Sequence, residues 1–516
     1  MSACEAWLGC FFRYRDFKRC EASLLQSLPM FNIITRRDFI ERSVRAALGA
    51  AFAAASNIPI FLQQAVADGT LTAGNKKLLF IFLRGGNDGL NTLIPWGDTS
   101  YNTTTRPTLY IPSPDPASMV PGKAPGSPDL TRVIDLGNNF AGLHPSLKDL
   151  VPIYNDGQLA LIHRVGYTLQ SRSHFDSQRY WENGMPRQDY TNSGLFYRAI
   201  VDSGLYLGRK FPAVSVQGSS PLSLRGPVSI PNLSDSTRYD LLGVADNGAD
   251  KQKLLAAISD ANAIPYPEKD NRDLLFATGK GLRESIEALK SVGITNNAFF
   301  DTDGATHLFP INAPSNQKGF SAASYGFFND LKSAAQILAS TDAVVAGTQL
   351  DGFDTHNNQG TLVQGHAKLL EWLGWGFYAV RQYMRSVDPA IWNNTVIVTL
   401  SEFGRTSKEN GSNGTDHAEA SVMFVAGGGI KGGVYQCGPD TWKGGPGGAM
   451  FQVNGRYLGR TVDYRSVLGE LLRKQLGVTQ TQLETVIPGY ADPKECLLAG
   501  GLCVDRFRTV GELGLM

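Results

Sequence analysis

Short apolar runs, each closed by glycine or a small polar residue, recur along this chain and restrict it to few folds. Leu78–Leu83 sits within KKLLFIFLRGGNDGLNTLIP (76–95). GQLALIHRVGY (157–167), AVVAGTQLDGFDTHNNQG (343–360), NTVIVTLSEFGR (394–405) and SVMFVAGGGIKGG (421–433) repeat the arrangement. Runs of about four to eight apolar residues without alternation read as strands covered on both faces. Between them lie stretches of helical character: SRSHFDSQRYWENG (171–184), the long amphipathic GTLVQGHAKLLEWLGWGFYAVRQYMRSV (360–387) and DYRSVLGELLRKQLG (463–477). Strands alternating with helices predict an α/β fold, with a mainly parallel sheet and helices on both faces. Residues from about 215 to 340, rich in Ser, Asn, Asp and Pro, are expected to form an inserted cap on a single domain spanning 68–516.

Composition narrows the function classes. Hydrophobic content of 42% and charged content of 18% are those of a globular chain rather than a disordered one. A net charge of +1, with no clustering of Lys and Arg, gives nucleic acid no electrostatic footprint to bind. The 56 glycines and 26 prolines indicate many loops around the core.

The N-terminal region reads as a targeting segment. Arg36-Arg37 precede Phe39-Ile40, the Ala-rich apolar stretch 46–62 and the small-residue site Ala65-Val66-Ala67. This order predicts a twin-arginine signal peptide over 30–67, hence passage through the Tat translocase to a periplasmic or extracellular location. Residues 1–29 are expected to be a misassigned start, with Met30 as the natural one. No later segment reaches about 18 uninterrupted apolar residues, so no stable membrane span is expected in the mature chain. Of the cysteines, 437, 496 and 503 would remain; CLLAGGLC (496–503) suits a small disulfide loop and two free thiols equally.

The chemistry-bearing residues follow the strands. Asn87-Asp88, Ser171/Ser173-His174, Asp354/His356 and Glu402 each come just after an apolar run, and Asp416-His417 stand in the next loop. In doubly wound sheets ligands bind outside the carboxyl ends of the strands. Three of the seven histidines (174, 356, 417) lie in these loops. Imidazole nitrogen with carboxylate oxygen is the ligand set of Zn, Mn and similar divalent ions. One such cluster alone most often caps a helix or closes a turn; several in one topological place point to a site. AGGGIKGG (426–433) fits neither GxGxxG opening a helix nor a P-loop and reads as a strand-end turn. The aromatic residues Trp372, Trp375, Phe377 and Tyr378 read as a helix packed on the sheet.

LRGGNDGLN, SRSHFDSQRYWENG, GFDTHNNQ, SEFGRT with ENGSNGTDH, and VAGGGIKGGVY together resemble an exported bacterial family known as domain of unknown function 1501. The likeness runs from about 76 to 480. That family is related to the alkaline phosphatase and sulfatase superfamily, so the resemblance implies an alkaline-phosphatase-like core with a site for one or two divalent ions (Zn, Mn or Ca). It implies metal ligands among Asp88, Asn87, His174, Asp354, His356, Glu402, Asp416 and His417. Ser173, with Ser171 as the lesser choice, would stand where the superfamily keeps its nucleophile, and Arg405 and Arg172 would steady an anionic substrate. The implied activity is hydrolysis of a phosphate or related ester, on a small molecule or a polymer, through a seryl intermediate. The sequence departs from the superfamily in the tight Asp354-Thr355-His356 spacing and in Glu402 where Asp-His is usual. It also lacks a Cys/Ser-x-Pro-x-Arg signature, which argues against a formylglycine sulfatase. The competing expectation is a non-catalytic, metal-stabilised envelope protein that binds a partner.

Overall fold

The computed structural model describes residues 76–516, except 189, 208, 210, 228–229, 235–252, 254–291, 295, 297 and 444–447. The signal segment and its lead therefore lie outside the described residues.

The five apolar runs all become strands of one sheet, which has nine strands among the described residues. These are β1 (Lys77–Leu83), β2 (Leu159–Gly166), β3 (Ala213–Val216), β4 (Asn232–Leu233), β5 (Val345–Leu350), β6 (Thr395–Leu400), β7 (Ser421–Gly427), β8 (Gly433–Tyr435) and β9 (Val462–Asp463). They lie in the order β8-β2-β7-β6-β1-β5-β3-β4, with β9 also paired to β2. All pairings are parallel except those of β7, which runs against both β2 and β6. The expectation of a mainly parallel α/β sheet is met.

Every residue of β1 is buried, because its two faces serve two cores. Leu79, Ile81 and Leu83 join the core built with α3 (Tyr325–Ser340) and α4 (His366–Val387). Leu78, Phe80 and Phe82 join the opposite core. That second core holds α1 (His174–Asn183), α2 (Leu195–Ile200), α5 (Tyr464–Lys474) and α6 (Gln480–Val486). Here Phe80 stacks on Phe196 at 4.6 Å and Trp181 on Tyr464 at 4.1 Å. Burying one such aromatic side chain contributes about 1.5–3 kcal/mol. A central strand flanked on both sides in this way has no polar face, hence the unbroken apolar run.

The ends of the segment expected as a cap belong to the central layers. Strands β3 and β4 extend the sheet, and α3 packs its Phe328, Leu331 and Leu338 into the core. Composition averaged over 215–340 concealed these elements. Cys437, Cys496 and Cys503 are buried free thiols. No helix among the described residues is long and apolar enough to cross a membrane.

Candidate metal centre

The loops that leave β1, β2, β5 and β6 emerge at the carboxyl edge of the sheet. Because β7 is antiparallel, its beginning lies at that same edge, and the preceding loop delivers Asp416 and His417 there. Glycine permits the crowding. Gly85 has φ +115, and a Cβ on it would sit 2.3 Å from the Asp354 nitrogen. The loops after β1 and β5 can touch only because no side chain intervenes.

Four side chains converge. His174 opens α1, whose N-cap is Ser173; Asp354 and His356 follow β5, and His417 precedes β7. His356 Nε2 and His417 Nε2 stand 3.1 and 3.2 Å from Asp354 Oδ1, and 2.9 Å from each other. His174 Nε2 stands 3.4 Å from Asp354 Oδ2. Donor atoms of His174, Asp354 and His417 all fall within 4.8 Å of one another, a grouping able to hold a metal ion.

The far nitrogen of each ring is held by an acceptor. His174 Nδ1 faces Glu402 Oε1 at 2.9 Å, His356 Nδ1 faces Asp416 Oδ1 at 3.2 Å, and His417 Nδ1 faces the Arg172 carbonyl at 2.9 Å. A ring that donates from Nδ1 turns its Nε2 lone pair to the centre, the orientation that metal-ligating histidines take from their supporting shell. His174 Nε2 is buried and has no hydrogen-bond partner among the described residues. Ligand atoms around one ion, bonded at about 2.1 Å, lie about 3.0–3.4 Å apart. The separations from Asp354 and between His356 and His417 are of that size, and His174, Asp354 and His417 form the group whose donor chemistry fits a divalent cation.

The electrostatics agree with this division. Burial would raise the Asp354 carboxyl, but the Arg405 hydrogen bond and charge, with His417 and His174, hold it down at about 2. Hydrogen bonding to Glu402 raises His174, whereas burial and the nearby Arg405 charge lower His417. Glu402 is fully buried, a position that alone would raise its carboxyl. Donors from His174, Gln178 and the Gly85 N–H outweigh that and keep it below the ordinary range.

Several expected site residues have other partners. Asp88 lies in a buried ion pair with Arg106, at 2.6 and 3.2 Å, and its remaining capacity is taken by Gln359 and the Leu90 N–H. Both oxygens are thus engaged away from the converging histidines. Asn87 is buried with Thr92 and His366, at 2.9 and 2.8 Å. Glu402 and Asp416 stand behind histidines rather than among the converging atoms. Arg405 is buried and bonded to the carbonyls of Gly85, Gly86, Phe353 and Thr415 and to Asp354. It clamps three loops and has no freedom to follow a substrate. Arg172 is half-exposed, 3.6 Å from Glu419 and stacked on Tyr457. Ser171 Oγ donates to Asp176 and accepts from the Ser173 N–H.

Residues that sequence reasoning missed include Gln178, Arg106, Gln359 and Asn410. Gln178 had a signal, since it lies four positions after His174 on one helix face. Arg106 and Asn410 come from irregular loops, where spacing carries none.

The arrangement defines a class: an α/β protein with a cluster of histidines and an aspartate, able to hold a metal ion, at the carboxyl edge of its sheet. The family model described as "Protein of unknown function (DUF1501)" matches residues 75–445, and the chain belongs to that family. No curated protein matches the chain. Among solved structures, alkaline phosphatase from the Antarctic bacterium TAB5 matches at 10% identity and a TM-score of 0.25, over 71% of this chain and 96% of that one. A variant of the TAB5 enzyme with Mg bound in its M3 site matches at 11% identity and the same TM-score, 0.25. So slight an overlap carries no argument about chemistry.

Proposed function

We propose that this chain is a metal-dependent hydrolase of a phosphate or related ester, with Ser173 as its nucleophile. The observation that carries the reading is the convergence of three Nε2 atoms and one carboxylate beside a helix whose N-cap is a serine. A bound divalent ion supplies Lewis-acid stabilisation of negative charge. Imidazole-rich ligation suits Zn or Mn better than Ca, which takes oxygen ligands. His174, His356, His417 and Asp354 would hold the ion, with Glu402, Asp416 and the Arg172 carbonyl fixing the rings. The Ser173 hydroxyl accepts only a long bond, 3.4 Å from the Asp176 N–H, and so is weakly committed. Unpaired N–H groups in the first turn of α1 favour an oxyanion there. Ser173 Oγ would displace the ester's alcohol, and water would then release the acid from the seryl ester. From Arg36-Arg37, the apolar stretch 46–62 and Ala65-Val66-Ala67 we also propose that the mature protein lies outside the cytoplasm, delivered by the Tat translocase.

Elemental analysis of protein purified without chelator tests the centre. The expected result is near-stoichiometric Zn or Mn in the parent and its loss from a folded His356→Ala/His417→Ala variant. Ser173→Ala should keep the metal and lose turnover on aryl phosphate or sulfate esters. Absence of metal in the parent sinks the hydrolase. Metal present, with no turnover in either parent or Ser173→Ala, supports the binding protein instead.

A further inference from the structure

Beside the centre, on the Asp416 side, lies a cavity of about 370 Å³ lined by Thr406, Lys408, Asn410, Asp416, Phe451 and Arg456, among others. Its cations and its carboxylates are placed differently. Arg456 is 54% exposed and uses one nitrogen, Nη2, to bond Asp416 at 2.8 Å. Lys408 is exposed and joins no ion pair among the described residues. Arg172, 42% exposed, shares the ring of Tyr457 with Arg456, their guanidinium carbons 4.7 and 5.5 Å from its centroid. The carboxylates already have donors. Glu409 is buried and accepts from the N–H groups of Thr108 and Leu109 and the Thr108 hydroxyl. Asp416, 36% exposed, accepts from His356, Asn410 and Arg456. Glu419, facing Arg172, is only 20% exposed. Among the described residues, the donors left over at this mouth are the Lys408 ammonium and the Nε and Nη1 of Arg456. Asp416 and Glu419 already face these two guanidinium groups, and the donors left over suit phosphate or sulfate oxygens, which guanidinium matches bidentately.

We propose that this cavity is an anion subsite for a second phosphate- or sulfate-type group, so that the substrate carries a further anion next to the ester that reacts. This rests on the hydrolase reading for its biological sense, but the subsite is testable without it. Asp416 links the two places, since it holds His356 on one side and Arg456 on the other.

The first arm titrates chelator-treated protein with inorganic phosphate by calorimetry. Binding should survive metal removal, weaken as ionic strength rises, and fall about fivefold or more in both Arg456→Gln and Lys408→Gln. Lys408→Gln leaves the Asp416 bond in place, so it reports even where Arg456→Gln disturbs the fold. No binding to the stripped protein, or binding unchanged in both variants, overturns the subsite. The second arm compares an α,ω-diol bisphosphate with its monophosphate on metal-loaded protein. Tighter binding of the bisphosphate by about tenfold, lost in the variants, assigns the subsite to the substrate. Equal binding assigns it to free phosphate and overturns the substrate claim. A stripped protein that binds phosphate but takes up no metal rejects the hydrolase reading alone.

Discussion

Glu402 acts on the centre through His174 rather than by direct approach. Its Oε1 takes three donors, from His174, Gln178 and the Gly85 N–H, and so fixes the ring while tying the loop after β1 to α1. Losing such a support weakens metal affinity by about 10–100-fold. Glu402→Gln should show that loss by competition against a calibrated chelator while the protein stays folded; unchanged affinity would remove Glu402 from the supporting shell. Arg405 makes a different prediction. A substrate-binding arginine, once truncated, changes KM and little else. Arg405→Ala would take the guanidinium donor from the carbonyls of Gly85, Gly86, Phe353 and Thr415, and each buried carbonyl left unpaired costs about 1–3 kcal/mol. Denaturant unfolding should show a loss of several kcal/mol together with lower metal content. A stable variant altered only in KM would restore the substrate role. Both residues are visible in the sequence as charged groups after a strand. Their roles are not, because role depends on which partners fill the space around each head group.

At the scale of elements, the turn after β1 sets how closely two strand-end loops approach. Gly85→Ala would place a Cβ against the Asp354 backbone at a φ, +115, that alanine rarely adopts. Strain and steric conflict together should cost about 2–4 kcal/mol and displace Asp354, lowering both the thermal midpoint and metal content. The apolar runs at 78–83, 157–167, 343–350, 394–400 and 421–427 were readable as strands because strands buried on two faces have no polar side to show. The direction of β7 was not readable, since an apolar run looks the same in either sense. That reversal brings His417 to the same edge as His174 and Asp354. Helix α3 was hidden for another reason: its apolar YGFFNDLKSAAQILAS lies inside a longer segment whose average is polar.

For the whole molecule, three buried histidines predict sensitivity to mild acid. Burial, first among the causes, lowers His144 and His163 to about 3 and His366 to about 4. An unfolded chain takes up these protons near pH 6.5, so between that pH and the folded values it holds more of them than the native state. Stability from these groups is complete above about pH 6.5 and falls as pH drops, by about 1.4 kcal/mol per unit for each histidine. His174 works weakly the other way, since its raised value favours the folded state below neutrality. Denaturant midpoints measured in chelator at pH 7.5, 6 and 5 should fall steeply over the last step. Replacing His163 with Gln should flatten that slope, and a pH-independent midpoint would show that these rings are hydrated rather than buried.

The sequence by itself determined the α/β class, the strand positions and the polar, histidine-bearing loops beside the strands, because periodicity and composition are local properties of a chain. Only the tertiary structure decided which of the polar residues face one another. Asp88 could not be separated from Asp354 by inspection, as each is an aspartate shortly after a buried strand. Each has a buried arginine partner, Arg106 and Arg405, but Gln359 and a backbone N–H complete the first, whereas three imidazoles surround the second. Electrostatic pairing acts through space, and spacing along the chain records it only where a helix or a strand makes the two equivalent.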